Sequence, residues 1–523
     1  MGILWPAQMN VWAAITEDPS YEERHLQIGP EGISPGGWSE LPELRHLMGP
    51  GKPLGVGRRF GSNKGPPGNP LKDSEDRFMT IGSLTKEEFT AMLPHHLSPS
   101  SPIQSIELLM GRQKQMDAIE EALASPGRSI FIYGDRGVGK TSLAQTAAVQ
   151  HQTSDRNPVI ISCDASTTFF RIIQSIAQAI VANPMGGNDA LTRKVKVGVP
   201  SVLSYEGERK RDDGQISDVT DINSAVLLLK HLTGGYKSKT LVVVDEFDLM
   251  KKEEDKVNVA NMLKQIGDQR INIQFIFCGI GKSLGELLGA HGSAHRYIQE
   301  VKLERLNYGP RLEIIEASLK AFGINIDVRM KTRIAAISDG FPHYIHLVCE
   351  KVCWELFRDP EPCADVSLDH YKKAIRSAIE ASQEHLKLAY EKATMKDTGD
   401  YEEALWAAAN HSDLFLRNDE IYSSYQAIMK DRGKEPVDRT KFSTKLNTLK
   451  SPSCGRILTS TKRNWTEFQE NVVRGYVRLR AEVEGVELAQ DCASNRGSEE
   501  IWRRKMISVA RSRPYTSTPP RKW

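Results

Sequence analysis

No part of this 523-residue chain restricts the fold as tightly as residues 129–142, read SIFIYGDRGVGKTS. Ile130, Phe131, Ile132 and Tyr133 make a short apolar run suited to a buried strand. Leu143, Ala144, Ala147 and Ala148 follow at helical spacing. Between them Gly134, Asp135, Arg136, Gly137, Val138, Gly139, Lys140 and Thr141 satisfy G-x-x-x-x-G-K-[ST] at every fixed position. Glycines let the main chain curl until several N–H groups point inward at phosphates, and the start of the next helix adds positive potential. Lys140 then reaches the β- and γ-phosphates as a point charge, Thr141 offers a hydroxyl to Mg²⁺, and Ser142 is counted with the cradle. The ligand implied is a nucleotide with Mg²⁺.

The length allows two to four domains with real cores. Seven cysteines without regular spacing argue against a disulfide framework and for a reducing, cytoplasmic setting. No apolar run approaches the length that crosses a membrane. The start, MGILWPAQMN, lacks the basic-then-apolar order of a secretory signal, and Pro6 stands where myristoylation wants Ser or Thr.

The first 100 residues hold 13 Gly and 12 Pro. The stretch 49–70 in particular sustains neither a helix nor a central strand. Residues 1–102 are therefore expected to form a largely irregular extension with a short helix near 86–92. A core follows over 103–306: a helix carrying Met116, Ile119 and Leu123, then strands near 129–133, 158–164, 240–248, 271–279 and 297–306, separated by helices. Val195, Val197 and Val199 suggest a hairpin within 185–220. Strands alternating with helices imply a five-stranded parallel sheet covered on both faces, an α/β fold.

The third strand, Leu241 to Val244, runs straight into Asp245 and Glu246. A carboxylate leaving a buried strand beside a phosphate loop is placed to hold Mg²⁺, the role assigned to Asp245. Glu246 is then placed to deprotonate the attacking water. Four helices follow at 310–322, 328–338, 342–357 and 368–386, a lid over residues 307–385. One helical face there carries His343, His346, Cys349 and Cys353. A single straight helix cannot wrap four ligands around an ion, so this face is expected to be packed core.

Gly111-Arg112 ahead of the core, the phosphate loop, Asp245-Glu246 and the helical lid together resemble the AAA+ ATPases. The nearer resemblance is to their initiator-like branch, related to Cdc6 and the origin recognition complex. It implies an αβα P-loop core, ATP hydrolysis, and Gly111 and Arg112 near the adenine. It also implies an arginine finger offered to a neighbouring copy in a homo-oligomer, for which Arg296 is the candidate. Two positions depart from the pattern. No Asn or Thr ends the fourth strand near 278–283, and the lid turn Gly340-Phe341-Pro342-His343 carries no arginine. The second departure is closer to the related STAND signalling ATPases.

In residues 386–488, helices at 401–410, 419–430 and 439–450 precede a hairpin over 455–469 with Lys462, Arg463 and Asn464 at its tip. That order resembles a winged helix, whose third helix enters the major groove while the wing touches phosphates. Lys441, Lys445, Lys462 and Arg463 are the candidate contacts to double-stranded DNA. From residue 439 to the end, 18 Lys and Arg stand against 8 Asp and Glu. Such an excess suits a polyanion, and residues 489–523 read as a disordered basic tail. Two functions stay open: a DNA-binding AAA+ ATPase, and a STAND-like signalling or defence switch whose C-terminal part contacts protein.

Overall fold

The computed structural model describes residues 81–99, 101–102, 109–152, 157–182, 219–234, 239–281, 285, 294–361, 363–395, 401–460 and 462–489. The expectations for residues 1–80, for most of the hairpin within 185–220 and for the tail from 490 lie outside them.

The nucleotide core is a parallel sheet of β1 (Ser129–Gly134), β2 (Val159–Ser162), β3 (Thr240–Asp245), β4 (Ile273–Ile280) and β5 (Ile298–Lys302), in the order β2-β3-β4-β1-β5. All four pairings are parallel, with Ile132 level with Cys278 and Val243 level with Ile276. Successive side chains point to opposite faces, so each central strand feeds two cores. Ile130, Ile132, Leu241 and Val243 pack on α2 (Gln113–Ala124) and α3 (Lys140–His151). Phe131, Val242, Val244 and Phe275 pack on α4 (Phe169–Ala182), α5 (Ile222–Gly234) and α6 (Glu253–Asp268).

Ahead of the core, α1 (Lys86–His96) is longer than the periodicity suggested. Thr85 and Glu88 form a capping box at its start. Its buried Phe89 stacks on Phe357 with ring centroids 4.4 Å apart. The last part of the N-terminal extension is thus folded onto the lid.

The stretch expected to form a lid comprises α7 (Tyr308–Lys320), α8 (Val328–Ile337), α9 (Pro342–Phe357) and α10 (Leu368–Ala381), followed by a separate α11 (Glu384–Thr394). The single helix expected over 368–386 breaks because Ser382 and Gln383 are extended, with ψ of 152° and 136°. His346, Cys349 and Cys353 are buried, as a packed face requires.

Beyond it lie α12 (Tyr401–Ala409), β6 (Leu416–Arg417), α13 (Asn418–Asp431), α14 (Arg439–Leu449), β7 (Leu458–Thr459), β8 (Trp465–Phe468) and α15 (Val473–Val483). The three strands form an antiparallel sheet in the order β6-β8-β7.

A buried charge cluster joins core, lid and C-terminal region. Asp339, between α8 and α9, is 1% exposed and adopts a left-handed φ of 50°. Its carboxylate meets Arg305 at 2.6 Å, Arg478 at 3.1 Å and Arg474 at 3.2 Å. Burial raises its pKa, but the arginines outweigh burial and hold it below the usual carboxylate value. The arginines also donate to the carbonyls of Ser412, Asp413, His411, Ala409 and Ala336 near the ends of α8 and α12, where the helix dipole is negative.

Candidate nucleotide site

The phosphate loop joins β1 to α3. Gly134 admits no side chain, since a Cβ there would lie 2.1 Å from the Leu303 carbonyl oxygen. Gly137 and Gly139 turn the chain with φ of 81° and 96°, values that L side chains rarely adopt. Val138 is buried, Arg136 and Gly137 are exposed, and Asp135, Lys140, Thr141 and Ser142 are half-buried around the helix start. The Lys140 ammonium donates to the carbonyls of Gly134 at 3.2 Å and Asp135 at 2.8 Å. Burial lowers its pKa, and Cys278, Asp248, Asp245 and Asp135 oppose that shift. The curled glycine loop with an ammonium held on its own carbonyls fits a polyphosphate.

Asp245 ends β3, and β4 separates it from the loop strand. It is 7% exposed, and its carboxylate accepts the Glu246 N–H at 2.9 Å. The expected strand to 248 stops here because Glu246 adopts a left-handed φ of 54° and residues 247–249 form a 3₁₀ turn. Glu246 is exposed. Asp248 accepts the Ile280 N–H at 2.8 Å, tying this turn to the end of β4. Where a polar residue was sought on β4, Cys278 is fully buried, 3.7 Å from the Lys140 carbonyl oxygen. Burial holds its thiol well above the usual range, so it stays neutral.

Lid and C-terminal region converge on the loop. A Cβ on Gly137 would lie 3.2 Å from a Val472 methyl and 3.5 Å from the Phe341 ring. The Asn471 amide donates to the Asp135 carboxylate at 3.0 Å, and Arg136 lies 3.9 Å from Glu470. Both partners of the second pair are about half exposed, so it contributes little by itself. Sequence reasoning missed residues 470–472, which lie 336 positions from the loop at the Asn471 contact and carry no motif.

The remaining expected site residues are not brought to the loop mouth. Arg112 is buried beneath the loop with its guanidinium on main-chain carbonyls, and Gly111 packs against Pro310. Arg296 is exposed on the 3₁₀ turn Ala294–Tyr297, its guanidinium 5.9 Å from the Tyr297 ring centroid.

At the far end, a groove of about 450 Å³ lies between α14 and the β7–β8 tip, lined by Ser443, Asn447, Lys450, Lys462, Arg463 and Asn464 among others. Lys441, Lys462 and Arg463 are exposed. Lys445 is half-buried, its ammonium 4.9 Å from the Tyr401 ring centroid. Sequence reasoning overlooked Lys450, which donates to Ser460 at 2.7 Å in this groove.

Among the described residues, Asp359, Cys363 and His370 form the one close group of mixed metal-ligating types. Its imidazole is already engaged, with Nε2 2.6 Å from Asp359 Oδ2 and Nδ1 accepting the Ser367 N–H at 3.3 Å. The group caps α10. Six described cysteines are unpaired, and no described helix is long and apolar enough to cross a membrane.

Residues 108–276 match the family model described as AAA ATPase domain. No curated protein matches the chain. Similar solved structures include the Walker-type ATPase paby2304 of Pyrococcus abyssi, 13% identical, covering 72% of this chain and 99% of that one at a TM-score of 0.40. The Aeropyrum pernix ORC2 protein in its ADPNP–ADP complexes is 14% identical, with 74% and 98% covered and a TM-score of 0.41. The Aeropyrum pernix ORC1 protein in complex with DNA is 16% identical, with 71% and 92% covered and a TM-score of 0.36. Lys140 and Asp245 stand at one end of a parallel sheet inside the matched segment, and the chain carries an AAA ATPase domain within residues 108–276.

Proposed function

We propose that this ATPase hydrolyses Mg²⁺-bound ATP and that its nucleotide state governs a C-terminal winged helix that binds double-stranded DNA. The observation carrying the nucleotide half is the buried Asp245 carboxylate beside the Lys140 loop, with Glu246 next to it. Lys140 and the loop N–H groups bind the β- and γ-phosphates. Thr141 and Asp245 would hold Mg²⁺, which neutralises charge on the transferring phosphate. Glu246, exposed on a turn held by the Asp248–Ile280 bond, takes the proton of the attacking water. Its left-handed backbone is the kind of local strain that collects at functional sites. Arg296, exposed beside β5, is offered to a neighbouring copy's γ-phosphate. The unpaired cysteines suit a reducing cytoplasm.

For the C-terminal half, helix α12, strand β6, helices α13 and α14, and hairpin β7–β8 follow the order of a winged helix. The groove between α14 and the hairpin tip is polar and basic, which supports DNA as its ligand. Neutralising Lys462 and Arg463 together is expected to weaken duplex binding and reduce the slope of log affinity against log salt by about 2. Lys445→Ala should do less than Lys441→Ala, because Lys445 is already held on Tyr401. Titrations of duplex DNA at several salt concentrations check both; an unchanged slope would remove DNA from the proposal.

A second reading, a STAND-like switch with a protein partner, is favoured by one observation. Residues 470–472 of the C-terminal region lie against the phosphate loop. In that case Asn471→Ala should speed nucleotide exchange in the absence of DNA, and an unchanged exchange rate would count against it.

A further inference from the structure

We infer that Arg112 is a positioning residue of the phosphate loop rather than a reader of the base, an inference that rests on the ATP-binding reading above. An arginine that recognises adenine must aim N–H groups or its flat face at the ring. Arg112 is 6% exposed, and both terminal nitrogens donate to main-chain oxygens at 2.8 Å: Nη2 to Val138 within the loop, and Nη1 to Glu304.

The Val138 bond has a consequence for the cradle. In a trans peptide the C=O and the following N–H point in opposite directions, and the described chain has no cis bond. Holding the Val138 oxygen outward on Arg112 therefore turns the Gly139 N–H the other way, toward the inside of the curl. Gly139, at φ 96°, is free to accept that orientation. Gly139 immediately precedes α3, so this N–H is one of those that a phosphate meets at the helix start.

The Glu304 bond ties the loop to the segment that enters the lid. Leu303 donates to the Tyr133 carbonyl and Leu306 to the Gly340 carbonyl, each at 2.8 Å. Arg112 thus cross-links loop and linker. Gly111 sets its position, with a φ of 72° and the Pro310 ring where a Cβ would need to be, 2.5 Å away.

The test compares wild type, Arg112→Lys and Arg112→Ala in binding ATP, GTP and inorganic tripolyphosphate, each with Mg²⁺, alongside thermal unfolding. Arg112→Ala should weaken all three ligands by a similar factor, about tenfold or more. Whatever ATP-to-GTP preference the wild type has should be unchanged. Arg112→Lys, with one ammonium for two carbonyls, should recover part of the loss at near wild-type unfolding temperature. Loss of ATP affinity with GTP and tripolyphosphate unaffected would show base reading and overturn the inference. Unchanged affinity for all three in folded variants would overturn it as well. A wild type that binds none of the three would instead refute the ATP-binding reading itself.

Discussion

The phosphate loop and the Asp339 cluster both hold positive charge against main-chain carbonyls, and they are built in opposite ways. In the loop, Lys140 reaches back only six residues to Gly134, and its half-buried ammonium donates to the Gly134 and Asp135 carbonyls. In the cluster, Arg305, Arg474 and Arg478 arrive from the core, the C-terminal helix α15 and its first turns to surround one carboxylate that is 1% exposed. The loop spends its charge on a ligand, so its partners are contiguous and its lysine is left within reach. The cluster spends its charge on joining three regions, so its partners are distant, with Arg474 and Arg478 fully covered and Arg305 mostly so. Function and cohesion thus separate by where the cation is left.

That contrast breaks most visibly at Asp339. Asp339→Asn leaves two buried arginines, Arg474 and Arg478, and the partly covered Arg305 without their counter-charge, and about 3–5 kcal/mol of stability should be lost. Denaturant unfolding measures it; a loss under about 1 kcal/mol would mean that the helix-end carbonyls alone satisfy the arginines. Lys140→Ala should do the reverse, lowering ATP affinity by about 100-fold, or about 2.7 kcal/mol, while the unfolding midpoint hardly moves. A destabilisation as large as that of Asp339→Asn would erase the distinction.

A smaller effect sharpens the comparison from a buried base that has no partner. His346 in α9 is 2% exposed, neither ring nitrogen is hydrogen-bonded, and burial, helped by His343, lowers its pKa to about 4. Its folded value lies below the unfolded one, near 6.5. Stability is therefore fully present above pH 6.5 and falls as pH drops toward 4, at about 1.4 kcal/mol per pH unit from this group. Replacing it with Met should remove that component from an unfolding series between pH 7.5 and 5; an identical pH slope would show that other groups set it.

Much of the nucleotide site was legible because each part is contiguous. The loop pattern, the apolar run into Asp245 and the helix starts are written in neighbouring residues, and the parallel sheet follows from their alternation. What escaped were three-dimensional coincidences. Arg474 and Arg478 entered the basic excess that argued for a polyanion, yet both are buried on Asp339 and helix-end carbonyls. Counting charge cannot tell a solvated arginine from one that caps a helix. Lys445 lies on the helix named for DNA contact but is held by Tyr401, while Lys450, one turn on, faces the groove. Arg112 was assigned to the base by resemblance, and its buried hydrogen bonds give it other partners. The approach of Asn471 to the loop had no local signal at all.

The proposed coupling runs from nucleotide chemistry at one end of this chain to DNA at the other. ATP turnover measured with and without duplex DNA at moderate salt, for wild type and Glu246→Gln, tests it most directly. Wild-type turnover should change with DNA, and the variant should still bind ATP but not hydrolyse it under either condition. Turnover indifferent to DNA, or a Glu246→Gln variant that hydrolyses normally, would contradict it.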